Sequence, residues 1–134
     1  MNVVVDTNVF ISGIFFTGPP HEILQAWHSG TLTFIISLDI HEEYARVANE
    51  LSDKFPGINL SSILQLVYVH SILVNPHPLP TAVCTDPDDD KFIAAALTGN
   101  AAIIISGDKH LHAISGYQGI SVLSPREFTQ YYLR

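Results

Sequence analysis

Four acidic residues far apart in the chain, Asp6, Glu43, Asp90 and Asp108, are the positions best placed to do chemistry together. Asp6 directly follows the apolar run Asn2 to Val5. Glu43 falls early in the helical stretch that follows a second run, Thr33 to Ser37. Asp90 opens an Ala-rich stretch, and Asp108 follows the run Ala102 to Ser106. Gathered on one surface, these carboxylates would repel one another, at about 4 kcal/mol per pair for charges roughly 4 Å apart and an effective dielectric near 20. A fold keeps such a group only with raised pKa values or with a counter-charge. Hard cations such as Mg²⁺ or Mn²⁺ prefer carboxylate oxygen and water, which makes them the natural counter-charge. Two such ions, roughly 3.5–4 Å apart, can activate water and stabilise the leaving oxygen of a phosphodiester.

The elements that must position these acids are legible in outline. Asn2 to Val5, Thr33 to Ser37, Ala102 to Ser106 and Ile120 to Leu123 are short, β-rich runs of the kind buried in parallel sheets. Helices are predicted from Thr7 to Phe15, Pro20 to His28, Asp39 to Phe55, Ser61 to His70 and Asp89 to Leu97, with a terminal helix opening at Ser124-Pro125. Asp39 is read as the cap of the long third helix. The proline-rich segment Asn75 to Asp88 reads as a loop. Strands alternating with helices predict a three-layer α/β/α sandwich around a central, mostly parallel sheet, one domain over residues 1–134. Sites in such sheets form at the carboxyl ends of the strands, where Asp6 and Asp108 project and where Glu43 and Asp90 can lean in from helix starts.

Composition sets the remaining bounds. Acids outnumber bases 13 to 6, for a formal charge of −7. That balance opposes conventional basic-patch binding of nucleic acid unless the excess is neutralised locally by divalent cations. The candidates for gripping a polyanion are Arg46, Lys54, Lys91, Lys109, Arg126 and Arg134. A lone cysteine, Cys84, excludes an intrachain disulfide and fits a reducing compartment. No signal peptide or bilayer-length apolar run is visible, so a cytoplasmic protein without membrane attachment is expected.

The segments carrying the acids share a further likeness. Val4-Val5-Asp6-Thr7-Asn8-Val9 resembles the opening motif of the PIN-domain family. Ser37-Leu38-Asp39-Ile40-His41-Glu42-Glu43-Tyr44 resembles the second motif, whose acid six residues after the serine selects Glu43 over Glu42. Asp86-Pro87-Asp88-Asp89-Asp90-Lys91-Phe92-Ile93-Ala94-Ala95-Ala96 resembles the third, whose acid three residues before the isoleucine selects Asp90. Ser106-Gly107-Asp108-Lys109-His110-Leu111 resembles the fourth and selects Asp108. The likeness spans nearly the whole chain, in order and in spacing, and the third motif looks most like the VapC-like branch of toxin components. It implies a Mg²⁺- or Mn²⁺-dependent endoribonuclease cutting single-stranded RNA, paired with a small antitoxin protein and often a homodimer. It further implies that Asp6, Glu43, Asp90 and Asp108 hold the metal and carry catalysis. Asp86 is the first choice of auxiliary ligand, and Thr7, Asn8, Ser37 and Ser106 are supporting groups, with Thr7 or Asn8 orienting Asp6 or a metal-held water.

Each acid also has an ordinary structural explanation. Asp6 could simply cap a helix, Glu43 could be an exposed helix acid, Asp88 to Asp90 could favour a helix dipole, and Asp108 could be a turn residue. Two other functions compete: an aspartyl-nucleophile phosphatase or phosphotransferase, and a PIN module that binds RNA or a protein without cutting. The seven histidines lack the spacing of a zinc site, and Cys84 lacks the partners of a nucleophile. The apolar stretch from Ile63 to Leu73 is read as core or, where exposed, as a contact for a partner.

Overall fold

A computed structural model describes residues 1–134. Five strands form its sheet: β1 (Asn2–Val5), β2 (Thr33–Ile36), β3 (Ile72–Leu73), β4 (Ile103–Ile105) and β5 (Ser121–Leu123). Their order is β3-β2-β1-β4-β5, and every pairing is parallel. The all-parallel arrangement explains the unbroken apolar runs: Val3, Val4, Val5, Phe34, Ile35, Ile36, Ile103, Ile104 and Ile105 are all buried, because helices cover both faces. Seven helices surround the sheet: α1 (Thr7–Phe15), α2 (Pro19–His28), α3 (Leu38–Leu51), α4 (Leu60–His70), α5 (Asp90–Thr98), α6 (Lys109–His112) and α7 (Pro125–Tyr132). The result is the α/β/α sandwich expected from the alternating pattern.

The chain departs from the expected elements in informative places. Ser37, not Asp39, caps α3, since its hydroxyl accepts the amide N–H of Ile40 at 3.2 Å. That helix ends at Leu51 and passes through a 3₁₀ turn, Ser52–Lys54. Ile72–Leu73 does not prolong α4 but forms the short edge strand β3 beside β2. The one-turn helix α6 follows Asp108. Gly99 does end α5, but at φ −90° rather than in a left-handed turn. It is glycine because a Cβ there would sit 2.5 Å from Cγ2 of Ile35, so the helix end touches β2 directly. Gly13 serves likewise in α1, where a Cβ would meet the Pro20 carbonyl oxygen at 2.7 Å.

The strand order reverses direction at β1, with β2 and β3 on one side and β4 and β5 on the other. A crevice opens at the carboxyl ends of strands flanking such a switch point. Here those strands are β1 and β4, with Val5 paired to Ile105. The next residues along are Asp6 and Ser106.

Candidate active site

Asp6 sits where β1 passes into α1, and its amide N–H still donates to the Ile105 carbonyl at 2.9 Å. Its side chain makes no capping bond to α1. Instead Oδ2 accepts a 2.6 Å hydrogen bond from the Ser106 hydroxyl, and the residue is only 6% exposed. A buried carboxylate is costly unless paired. Burial accordingly raises the Asp6 pKa, with the negative charges of Asp108 and Glu43 adding to the rise, while the bonds from Ser106 and the Thr7 amide work against it. The simple cap reading of Asp6 therefore fails.

Beneath this acid, Tyr44 of α3 is fully buried, stacks on Phe10 at 4.2 Å between ring centroids, and donates its hydroxyl to the Val5 carbonyl. Burial pushes the Tyr44 pKa well above its usual value, so the phenol stays a neutral donor. Ser106 also accepts the Asp108 amide N–H at 2.9 Å, so one hydroxyl links Asp6 to the turn bearing Asp108. His112 holds that turn from below, its Nε2 2.6 Å from the Ser106 carbonyl. Asp108 caps α6, with Oδ1 accepting the His110 N–H at 2.8 Å.

Glu43 enters from α3 with both oxygens engaged. Oε2 accepts the buried Thr7 hydroxyl, and Oε1 lies 2.6 Å from the Lys91 ammonium and 3.7 Å from Arg46. Thr7 thus orients Glu43 rather than Asp6, and the group that orients Asp6 is Ser106. Asn8 is exposed and lines a groove with Ser12, Gly107 and Asp108. Ser37 is committed to capping α3.

The third motif is arranged differently from the expectation. Asp90, selected by its spacing to Ile93, has its oxygens on the loop before it: Oδ1 accepts the Cys84 N–H at 2.8 Å and Oδ2 the Val83 N–H at 3.1 Å. Asp89 is the acid that feels the cluster. Partial burial, then the charges of Asp108 and Asp6, push its carboxyl up to about 6. Asp89 ends the 3₁₀ turn Pro87–Asp89 and Asp90 opens α5, in which every residue from Phe92 to Ala96 is buried. Asp86 is exposed and caps the 3₁₀ turn Pro87–Asp89, accepting the Asp88 N–H at 3.0 Å.

As they stand, no three His, Cys, Asp or Glu side chains are disposed to hold a metal ion. The donor chemistry nonetheless fits a hard cation. Asp108 keeps one oxygen without a protein partner, and Asp89 has no hydrogen-bond donor on either. No Lys or Arg pairs with either of them or with Asp6. Like charges share a confined space there without a protein counter-charge, the condition a divalent ion relieves. Cys84 offers no competing chemistry: burial and the neighbouring Asp90 carboxylate push its thiol up to about 12, so it stays protonated. His21 and His41, like His112, lie within hydrogen-bond distance of backbone carbonyls and serve packing.

Comparison with known proteins gives the family. The PIN domain family model matches residues 2–110, most of the chain. This protein belongs to the PIN-domain family. PIN domains are typically nucleases, hydrolases of phosphodiester bonds that generally depend on divalent metal, and this membership leaves the aspartyl phosphotransferase alternative without support. The chain is also 35% identical over 116 residues to the uncharacterized protein MJ1680 of Methanocaldococcus jannaschii, covering 83% of this chain and 73% of that one. No solved structure matches. No helix of this PIN domain is long and apolar enough to cross a membrane.

Proposed function

We propose that this PIN domain is an endoribonuclease that hydrolyses phosphodiester bonds of single-stranded RNA with Mg²⁺ or Mn²⁺, acting as the toxin of a toxin–antitoxin pair. The observation that carries the reading is the pair Asp6 and Asp108 at the β1–β4 switch point, linked through the Ser106 hydroxyl and without a Lys or Arg partner. These two, with Asp89 beside them and Glu43 flanking, would hold the metal. When bound, the ion neutralises the cluster and supplies Lewis-acid activation of water and the phosphodiester. The chain's own groups do the positioning. Ser106 fixes one oxygen of Asp6, His112 steadies the turn that carries Asp108, and Thr7 and Lys91 hold Glu43 at the rim. Arg46, 65% exposed at its side chain and 3.7 Å from Glu43, stands at the rim where it would meet a phosphate. By likeness to the family, the products carry 5′-phosphate and 3′-hydroxyl ends.

A partner protein is part of the reading because α4 and β3 leave Leu66, Tyr68, Val69, Ile72 and Leu73 exposed along an open sheet edge. Unpaired edge strands and contiguous apolar surface are what binding partners cover. A small antitoxin is assigned to that edge. Tyr131 and Tyr132, exposed on α7, support a homodimer contact elsewhere.

The test is cleavage of a labelled single-stranded RNA by purified protein with Mg²⁺ or Mn²⁺, abolished by EDTA. Asp6→Asn should slow cutting by about 10²-fold or more, as expected for loss of a preorganised charge at the reacting centre. Equal cutting by the variant would refute the assignment.

A further inference from the structure

The acids of the crevice are flanked by two grooves of opposite character. From that contrast we infer that the groove on the Asp108 side is a nucleobase subsite, in which Asn8 and Ser12 read one base of the RNA strand beside the cut. The inference rests on the nuclease reading above and deepens it. On the Glu43 side the groove is almost wholly charged, with Asp39, Glu42, Glu43 and Asp88 facing Arg46 and Lys91. On the Asp108 side the lining includes Asn8, Ser12, Pro20, Gly107 and Pro125, and its one charge is that of Asp108. A phosphate finds no cation there to pair with. A neutral, planar base finds both hydrogen-bonding groups and apolar walls.

Asn8 and Ser12 stand one helical turn apart on α1, on the same face. Neither side chain takes part in the hydrogen bonds around them, which join Asp6, Ser106, Asp108 and the His110 amide, and His21 with the Gly13 carbonyl. A side-chain amide presents donors and an acceptor side by side, and a hydroxyl serves as either. That is the equipment with which proteins read base edges, and the bases of a single strand leave those edges open. Pro20 in the first turn of α2 and Pro125 at the start of α7 set rigid apolar rings on the walls. Gly107 leaves the groove open, since a Cβ there would meet nothing within 4 Å. The volume is about 360 Å³, at the small end of the roughly 300–1,000 Å³ typical of ligand pockets, which suits one base and not a longer stretch of strand. Asp108 lines the same groove, so a base lodged there belongs to a nucleotide adjoining the reacting phosphate.

The subsite is read by cutting RNA that carries a randomised single-stranded stretch, with Mn²⁺ present, and sequencing the new ends. One position adjoining the cut should show a preference of about 5-fold or more between best and worst base, the lower bound for a bidentate base contact. Asn8→Ala, and Gly107→Leu, which fills the groove, should each flatten that position and leave base frequencies elsewhere unchanged. Ser12→Ala should weaken the same preference. A merely structural role would slow cutting without moving base frequencies. Wild-type cutting with no base preference beside the cut, or a preference that survives both Asn8→Ala and Gly107→Leu, would overturn the subsite and leave the nuclease reading standing. A second measurement needs no cutting. In ¹⁵N spectra of the metal-free protein, adenosine, guanosine, cytidine or uridine at millimolar concentration should shift the side-chain amide signals of Asn8, and Gly107→Leu should abolish the shift. Signals unmoved by all of these nucleosides would overturn the subsite as well. Shifts without any RNA cutting would sink the nuclease reading alone.

Discussion

Asp89 and Asp90 are neighbours in sequence, yet replacing each with asparagine should move the metal-free protein in opposite directions. Asp90 accepts two backbone N–H groups, at 2.8 Å from Cys84 and 3.1 Å from Val83, one on each oxygen. Asparagine has one acceptor oxygen and would turn an NH₂ group toward the other N–H. The loss of a charge-assisted bond, with a buried donor left facing a donor, amounts to about 2–3 kcal/mol of stability. Asp89 is held near Asp108 and Asp6, with its carboxyl pushed up to about 6. Its charge is therefore unfavourable at pH 7.5, and Asp89→Asn should stabilise the metal-free chain, by about 1 kcal/mol once solvent screening at this partly exposed group is allowed for. Urea denaturation in EDTA reads both signs. Repeating it with Mn²⁺ reads the ligand: saturation at about 100 times Kd should add about 2.7 kcal/mol to wild type and to Asp90→Asn. Asp89→Asn should gain much less. If Asp90→Asn is as stable as wild type in EDTA and loses the Mn²⁺ response that Asp89→Asn keeps, Asp89 is not the ligand and spacing to Ile93 is the better guide.

Other expectations follow from the same contacts. The folded pKa values of Asp6 and Asp89 are raised above the ordinary carboxylate value, so their contribution to metal-free stability is present at low pH and is lost as pH climbs through the raised values, about 6 for Asp89; denaturation in EDTA should show it falling as pH rises, and Mn²⁺ affinity, titrated calorimetrically, should rise over the same range as protons cease to compete. Ser106→Ala removes the donor to buried Asp6 and the acceptor for the Asp108 amide, and should cost about 1–3 kcal/mol by urea denaturation while lowering RNA cleavage. Gly13→Ala sets a methyl group against the Pro20 carbonyl at 2.7 Å and should cost about 1–3 kcal/mol, visible as a lowered Tm with the Mn²⁺ increment intact.

The sequence alone determined the layered architecture and most of its strands, because runs such as Ile103 to Ile105 have no stable home except a strand buried on both faces. It also determined that Asp6 and Asp108 stand at one edge, since residues after adjacent parallel strands emerge on the same side. It did not determine which acid of Asp88-Asp89-Asp90 turns inward. That depends on where the 3₁₀ turn Pro87–Asp89 hands over to α5, a matter of one residue or about 100° of rotation. Nor did it reveal the pairing of Lys91 with Glu43 or of Ser106 with Asp6. These partners are far apart along the chain, and only the packing of α5 beside α3, and of β4 against β1, brings their side chains within hydrogen-bonding reach. Local periodicity carries the elements; the partners of each charge are decided where separate elements meet, since a carboxylate buried there must find whatever donor the neighbouring surface presents.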